Sequence, residues 1–243
     1  PEVVLFGDSI TQSSFAPGWG SQLADWYTRR ADVINRGFSG YNTRMSMFLL
    51  NTIFPQTGDG VPESPPALLV TVFLGANDMA LASSSARQHV PLQEYKSNLK
   101  RIVAHIRAAE PGARIILITP PPVHEGMWRE AQLQFFTEAK AEPTGAIPDR
   151  TMYARACKDA AGELGIPAVD AFSGFGGGDP AKSALLLSDG LHLSAAGNSL
   201  LFGLIKETVR LHYPALLPEQ LKMHAPLWSS VDPKHPEKQL SDV

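Results

Sequence analysis

The feature that most constrains the fold is a regular alternation between short apolar runs and longer amphipathic stretches. Two of the apolar runs, Ala67–Leu74 and Arg114–Thr119, are rich in Val, Ile and Leu. Runs of this length and composition are typical of parallel strands that helices cover on both faces. The alternation therefore predicts an α/β fold, a three-layer α/β/α sandwich around a parallel sheet.

Five strands and four longer helices are predicted from these patterns. The predicted strands are Val3–Gly7, Asp32–Arg36, Ala67–Leu74, Arg114–Thr119 and Pro167–Asp170. The predicted helices are Gly18–Arg29, Leu92–Ala109, Arg150–Leu164 and Ser194–His212. Three segments fall outside the alternation, namely a connector over 55–66, an insertion over 123–148 and a glycine-rich loop, expected to be mobile, over 173–183. We expect one catalytic domain over residues 1–213, and a Pro-rich tail over 214–243 that packs on the domain or mediates a homodimer.

Length and charge exclude several classes of protein. The 243 residues, 44% of them hydrophobic, can bury a sizeable core. A net charge of -3 provides no basic surface for nucleic acid or an anionic membrane, and no apolar run is long enough to span a bilayer. The single Cys157 excludes an intramolecular disulfide and fits a reducing compartment. With no signal-peptide pattern at the start, we expect a cytoplasmic location.

Chemically useful residues follow four of the five predicted strands. In open parallel sheets ligands bind outside the carboxyl ends of the strands, so these residues should meet at one edge. The segments concerned are Gly7-Asp8-Ser9, the Gly37–Gly40 run, Gly75–Asp78, and the stretch from Asp189 to His192. Ser9 can serve as a nucleophile once His192 takes its proton. Asp189, three residues earlier, can fix the tautomer of that imidazole, because such triads are defined by geometry rather than chain order.

The same edge offers donors for the oxyanion of a tetrahedral intermediate. They are the backbone N–H of Ser9, the backbone N–H of Gly40 and the side-chain amide of Asn77. His124 could line a pocket beside Pro120–Pro122, and we expect Asp8 to brace neighbouring loops by hydrogen bonds. No metal-binding or nucleotide-binding motif is present, so we expect neither a metal nor another cofactor.

Taken one at a time, these residues have simpler explanations. Ser9 could cap a helix, Asn77 could occupy an ordinary turn, and Asp189 with His192 could be a cap beside a surface histidine. These local explanations do not account for the occurrence of all of them at strand exits of one sheet. Ser39 lies in a run that looks like a nucleophile elbow, but the pattern G-x-S-x-G fails because position 41 is Tyr.

These blocks together resemble the SGNH (GDSL-type) hydrolase family. The four family blocks correspond to Gly7-Asp8-Ser9, Gly40, Gly75-x-Asn77-Asp78 and Asp189-x-x-His192. The stretches FGDSITQ, NRGFSGYNTR, FLGANDM, ITPPP and LSDGLHLSAAGN are similar to the isoamyl acetate-hydrolysing esterase branch, over residues 3 to about 205.

The resemblance implies a flavodoxin-like strand order of 2-1-3-4-5 and a carboxylic-ester hydrolase without a cofactor. Small-molecule esters of short acyl chains, such as alkyl acetates, are the implied substrates, with Ser9, Asp189 and His192 as the triad. Three alternatives stay open: deacetylation of a carbohydrate, cleavage of a lysophospholipid or thioester by the same triad, and a non-catalytic binding protein of this fold.

Overall fold

The computed structural model describes residues 1–56, 65–84, 86–135 and 150–241. Its centre is a five-stranded sheet whose strands all run parallel in the order β2-β1-β3-β4-β5, which confirms the implied order. The strands are β1 (Glu2–Gly7), β2 (Asp32–Gly37), β3 (Ala67–Phe73), β4 (Arg114–Ile118) and β5 (Ala168–Val169).

Helices cover both faces of the sheet, as the α/β prediction requires. In the described part of the chain they are α1 (Ser9–Gln12), α2 (Trp19–Trp26), α3 (Thr43–Ser46), α4 (Leu50–Ile53), α5 (Leu92–Ala109), α6 (Glu125–Phe135), α7 (Thr151–Leu164), α8 (Ala171–Gly174), α9 (Pro180–Leu186), α10 (Ala195–His212) and α11 (Glu237–Leu240). No helix among the described residues is both long and apolar enough to cross a membrane.

Burial follows the position of each strand in the sheet. The central strands β1 and β3 are buried along nearly their whole length, whereas the edge strand β2 is only half-buried. The helix α5 has the predicted bounds and turns one face inward through Tyr95, Leu99, Ile102 and Ile106. This spacing of three and four residues is the signature of an amphipathic helix packed on a sheet.

Two segments outside the alternation are more helical than expected. The predicted insertion contains α6, while residues 136–148 lie outside the described residues. The glycine-rich loop predicted over 173–183 overlaps α8 and α9. Asp170 caps α8 by accepting a bond from Ser173 N at 3.0 Å, and Asp179 caps α9, which has Pro180 in its first turn. Asp caps and a proline at the start both favour helix formation, so the loop is shorter than predicted.

The first half of the Pro-rich tail lies against the loop after α2. The Tyr27 hydroxyl donates to Leu216 O at 3.0 Å, and His224 N donates to Arg29 O at 2.8 Å. Leu217 and Leu221 pack against the core. A domain boundary at residue 214 and dimerisation through the tail stay predictions.

Candidate active site

Ser9 occupies the first position of α1, and only Asp8 separates it from the end of β1. The Asp8 side chain caps this short helix, since its Oδ1 accepts a hydrogen bond from Ile10 N at 3.0 Å. The cap satisfies one of the N–H groups that a helix start leaves without a partner. Ser9 is therefore held at a helix start, as a capping explanation required, but its own hydroxyl is not the cap.

The hydroxyl of Ser9 contacts His192 instead, which lies 183 residues further along the chain. Ser9 Oγ lies 2.9 Å from His192 Nε2, and His192 Nδ1 lies 2.6 Å from Asp189 Oδ2. The other carboxylate oxygen of Asp189 accepts from Leu191 N at 2.9 Å and from His192 N at 2.8 Å. The carboxylate thus fixes both the imidazole and the backbone turn that carries it.

The electrostatics of this pair keep the Asp189 carboxylate ionised and favour a positive charge on the His192 imidazole. Burial opposes ionisation of Asp189, but the hydrogen bonds from His192 and Leu191 prevail and lower its pKa to about 2. Burial also works against a charge on His192, yet the hydrogen bond and charge of Asp189 raise the pKa of His192 above its ordinary value. Above that pKa the imidazole can accept a proton from Ser9 Oγ.

The other predicted oxyanion donors lie at the exits of β2 and β3. Gly40 has a φ of +79°, in the left-handed region that favours glycine. Asn77 is buried, and its Nδ2 donates to Tyr41 O at 2.9 Å, which links the two exits directly. Ser39, the alternative nucleophile, is exposed, and its backbone N–H donates to Gln12 Oε1 at 2.8 Å.

Trp128 on α6 was not predicted as a site residue. Its ring lies 6.1 Å from the His192 ring in a nearly edge-on arrangement with an interplanar angle of 71°. The start of α6 is held there by Gly190, whose carbonyl accepts from His124 N at 2.8 Å. Trp128 lay in the insertion without any motif, so its position could only be known from the fold.

The extent of the similarity to known proteins decides the family. A family model described as the GDSL-like Lipase/Acylhydrolase family matches residues 5–200. The chain belongs to the GDSL hydrolase family. The resemblance stated from the motif blocks is therefore confirmed, and the protein is a carboxylic ester hydrolase.

Relatives of this GDSL hydrolase are similar over most of their length. A GDSL esterase/lipase of Arabidopsis thaliana is 42% identical over 98% of this chain and 96% of its own length. An isoamyl acetate-hydrolyzing esterase 1 homolog of Bos taurus is 44% identical over 90% of this chain and 86% of its own.

Solved structures show the same fold at lower identity. A lipase/acylhydrolase from Enterococcus faecalis has a TM-score of 0.62 at 23% identity, with 91% of this chain and 97% of that one covered. A catalytic mutant of an acetylxylan esterase from Geobacillus stearothermophilus has a TM-score of 0.60 at 22% identity, covering 86% of this chain and 93% of its own.

Two buried carboxyls lie beside the candidate site of this GDSL hydrolase. Burial raises the pKa of Asp8 to about 7 and that of Asp78 to about 7. Asp78 accepts from Thr43 N at 3.0 and 3.1 Å and from the Thr43 hydroxyl. The expectation that Asp8 braces neighbouring loops is wrong, because Asp8 caps its own helix and its buried Oδ2 has no partner in the described structure. Asp78 does that bracing.

A cavity of about 370 Å³ opens beside the exits of β4 and β5. His124 lines it as predicted, together with Pro122, Phe172 and Arg150, whose guanidinium pairs with Glu125 at 3.2 Å. The first turn of α6 forms part of this wall and also carries the backbone that contacts Gly190. Within the described ranges, no three His, Cys, Asp or Glu side chains come together in a way that could hold a metal ion.

Proposed function

We propose that this GDSL hydrolase is a serine esterase for short-chain acyl esters, acetates above all, that works through an acyl-enzyme intermediate. The observation that carries the proposal is the continuous chain of hydrogen bonds from Ser9 Oγ through His192 to Asp189. A nucleophile, a base and an orienting carboxylate within hydrogen-bond distance are what acyl transfer requires. The acetate preference is supported by the name of the isoamyl acetate-hydrolyzing relatives.

In the first half of the reaction, His192 takes the proton from Ser9 Oγ as the oxygen attacks the ester carbonyl carbon. The negative oxygen of the tetrahedral intermediate accepts from the backbone N–H groups of Ser9 and Gly40 and from Asn77 Nδ2. The bond between the carbonyl carbon and the alcohol oxygen then breaks as His192 gives its proton to that oxygen. The alcohol departs, and the acyl group stays bound to Ser9 Oγ.

In the second half, His192 removes a proton from a water molecule that attacks the acyl carbon. The new tetrahedral intermediate collapses, the carboxylic acid leaves, and the proton returns to Ser9 Oγ. Asp189 keeps its negative charge throughout and stabilises the imidazolium that forms twice in each cycle. Because only neutral His192 can start the cycle, kcat/KM should rise with pH through the pKa of His192.

The test is hydrolysis of p-nitrophenyl esters from acetate to decanoate, and of isoamyl acetate, by wild type, Ser9→Ala and Ser39→Ala. We expect Ser9→Ala to lose at least about 10⁴-fold in kcat, as removal of a triad member does elsewhere. Ser39→Ala, an exposed serine on the neighbouring strand exit, should keep wild-type activity. Retained activity in Ser9→Ala would sink the assignment of the nucleophile.

Further measurements separate the competing functions. An acyl adduct on Ser9, trapped by rapid acid quench and located by mass spectrometry, is expected if the intermediate is covalent. The substrate assignment would be overturned if acetylated xylan, a lysophospholipid or an acyl thioester turned over faster than any alkyl acetate. That result would leave the assignment of the triad unaffected. Failure of a fluorophosphonate probe to label the wild type would indicate a binding protein that keeps the fold.

A further inference from the structure

The side chain of Gln88 contacts two of the three proposed oxyanion donors at once. Gln88 lies in the connection between β3 and α5, outside every motif block, and its side chain is half-buried. Its Nε2 donates to Gly40 O at 2.8 Å and to Asn77 Oδ1 at 3.1 Å. One amide group therefore joins the exits of β2 and β3 at the residues that would face the reacting oxygen.

Its own backbone is also anchored. The Gln88 carbonyl accepts from Asn42 Nδ2 at 2.7 Å, and the Asn42 Oδ1 in turn caps α3 through Met45 N at 2.9 Å. The preceding residue, Arg87, has a φ of +54°, in the left-handed region that a non-glycine residue rarely adopts. Such a conformation persists where surrounding contacts hold it, as they do here on the Gln88 side.

From these contacts we propose that Gln88 is a positioning residue for the oxyanion hole, a role that rests on the function proposed above. For Asn77, the bond from Gln88 fixes the orientation of the side-chain amide, because it requires an oxygen at the end that faces Gln88. Its Oδ1 accepts from Gln88 and its Nδ2 donates to Tyr41 O, so one Nδ2 hydrogen is left to bind an oxyanion. The reversed amide would set an NH₂ group against another NH₂ group and lose both bonds.

For Gly40 the same side chain restrains the backbone. Glycine has the largest backbone freedom of any residue, so the direction of the Gly40 N–H depends on how the neighbouring peptide groups are held. The bond from Gln88 Nε2 fixes the peptide group that follows Gly40, and the bond from Ser39 N to Gln12 Oε1 fixes the peptide group that precedes Ser39. The two restraints therefore flank the peptide group that carries the Gly40 N–H. Donors that are oriented before the reaction stabilise the transition state without reorganisation, so Gln88 should act on kcat.

The test replaces Gln88 with Met, which has a similar length and no hydrogen-bond donor. Gln93→Met, an exposed glutamine in the first turn of α5, is the matched control. We expect Gln88→Met to lower kcat by about 10- to 100-fold, less than the loss of a whole donor. KM should stay within about twofold, since the interaction strengthens in the transition state. Affinity for a trifluoromethyl ketone, which forms an oxyanion adduct on Ser9, should fall in parallel with kcat.

A double-mutant cycle with Asn77→Ala separates this role from general stabilisation. If Gln88 acts through Asn77, Gln88→Met should lower kcat by a smaller factor in the Asn77→Ala background than in the wild type. An unchanged kcat in Gln88→Met would overturn the proposal, and an equal factor in both backgrounds would overturn the part of it that concerns Asn77. In that case a loss of activity in Ser9→Ala and Asn77→Ala would leave the proposed function standing.

Folding is checked by circular dichroism and thermal unfolding of each variant. If Gln88→Met does not fold, Gln88→Glu carries the test, because it keeps the shape of the side chain and replaces the donor with an acceptor. We expect Gln88→Glu to lose at least the kcat expected for Gln88→Met, because a carboxylate oxygen would face the Gly40 carbonyl and Asn77 Oδ1. A folded Gln88→Glu with wild-type kcat and inhibitor affinity overturns the positioning role.

Discussion

Replacing Asp8 with Asn should remove a specific pH dependence from the stability of the folded protein. The Asp8 carboxyl is buried, accepts one bond from Ile10 N and has no partner at Oδ2 in the described structure. Burial, opposed in part by that bond, raises the pKa of Asp8 from 3.8 to about 7. At pH values between these two, the folded protein holds a proton on Asp8 that the unfolded chain has lost.

The sign of the effect follows from that proton. Because the folded state binds more protons than the unfolded state between the two pKa values, the free energy of unfolding falls as pH rises through this interval. With 3.8 for the unfolded chain and about 7 for the folded one, the contribution of Asp8 should fall by about 2.5 kcal/mol from about pH 5 to about pH 8.5. Above the folded pKa the contribution is constant.

Asparagine at position 8 keeps the acceptor for Ile10 N and carries no charge. Its NH₂ group replaces the unpaired Oδ2, and a buried donor without a partner costs about 1–3 kcal/mol. That cost is the same at both pH values and cancels when the two are compared. Asp78 and His192, whose raised pKa values give a pH dependence of the same sign, are present in both proteins, so they enter the comparison only through their charge coupling to Asp8.

The assay is urea unfolding of wild type, Asp8→Asn and Asp25→Asn at about pH 5 and at about pH 8.5. Asp25 is an exposed aspartate on α2, so Asp25→Asn should follow the wild type. Between the two pH values the wild type should lose about 2.5 kcal/mol more of its unfolding free energy than Asp8→Asn. If wild type and Asp8→Asn lose the same unfolding free energy, the buried carboxyl of Asp8 ionises at its ordinary pKa and the reasoning is refuted.

Two further predictions concern the elements around His192. Trp128→Ala should uncover the imidazole and weaken the burial that lowers the pKa of His192, so the acid limb of kcat/KM should move to higher pH. Trp228→Ala, which removes a largely exposed ring, should leave the acid limb in place. Gly190→Ala should cost about 2 kcal/mol or more in thermal or urea unfolding, since φ is +94° and its Cβ would lie 2.4 Å from Trp128 N. Gly203→Ala, with open space around it in α10, should be neutral or stabilising, and equal stabilities of these two variants would contradict the argument.

The secondary structure could be predicted where the hydrophobic pattern is local. The bounds of α5 agree with the prediction because its buried residues recur every three or four positions, and β3 agrees to within one residue because it is a continuous apolar run. The order of the strands is not local, and it followed only from the resemblance to a family. The helix α6 was missed because, over residues 125–132, only Ala131 and Gln132 are buried, and these two do not form an apolar stripe of helical spacing.

The candidate site likewise contains residues that could be predicted from the sequence and residues that could not. Ser9, Asp189 and His192 could be predicted because acyl transfer needs those chemical groups and because strand exits in a parallel sheet meet at one edge. The structure brings their side chains within hydrogen-bond distance, and their catalytic roles stay proposals. Trp128 and Gln88 have no such signal, since neither residue type implies a role and neither lies in a motif block.

The difference has a physical reason that bears on how relatives of this protein are compared. A nucleophile or a base is identified by its own atoms, but a positioning residue is identified by the atoms it touches. Gln88 matters because the Gly40 carbonyl and Asn77 Oδ1 lie within reach of its amide, which depends on the loop conformation around Arg87. A relative that keeps all four motif blocks but lacks a donor at this place should keep its reactive serine and show a lower kcat. Labelling by a fluorophosphonate together with slow ester turnover in such a relative is the expected signature, and fast turnover would show that its oxyanion donors are oriented by other contacts.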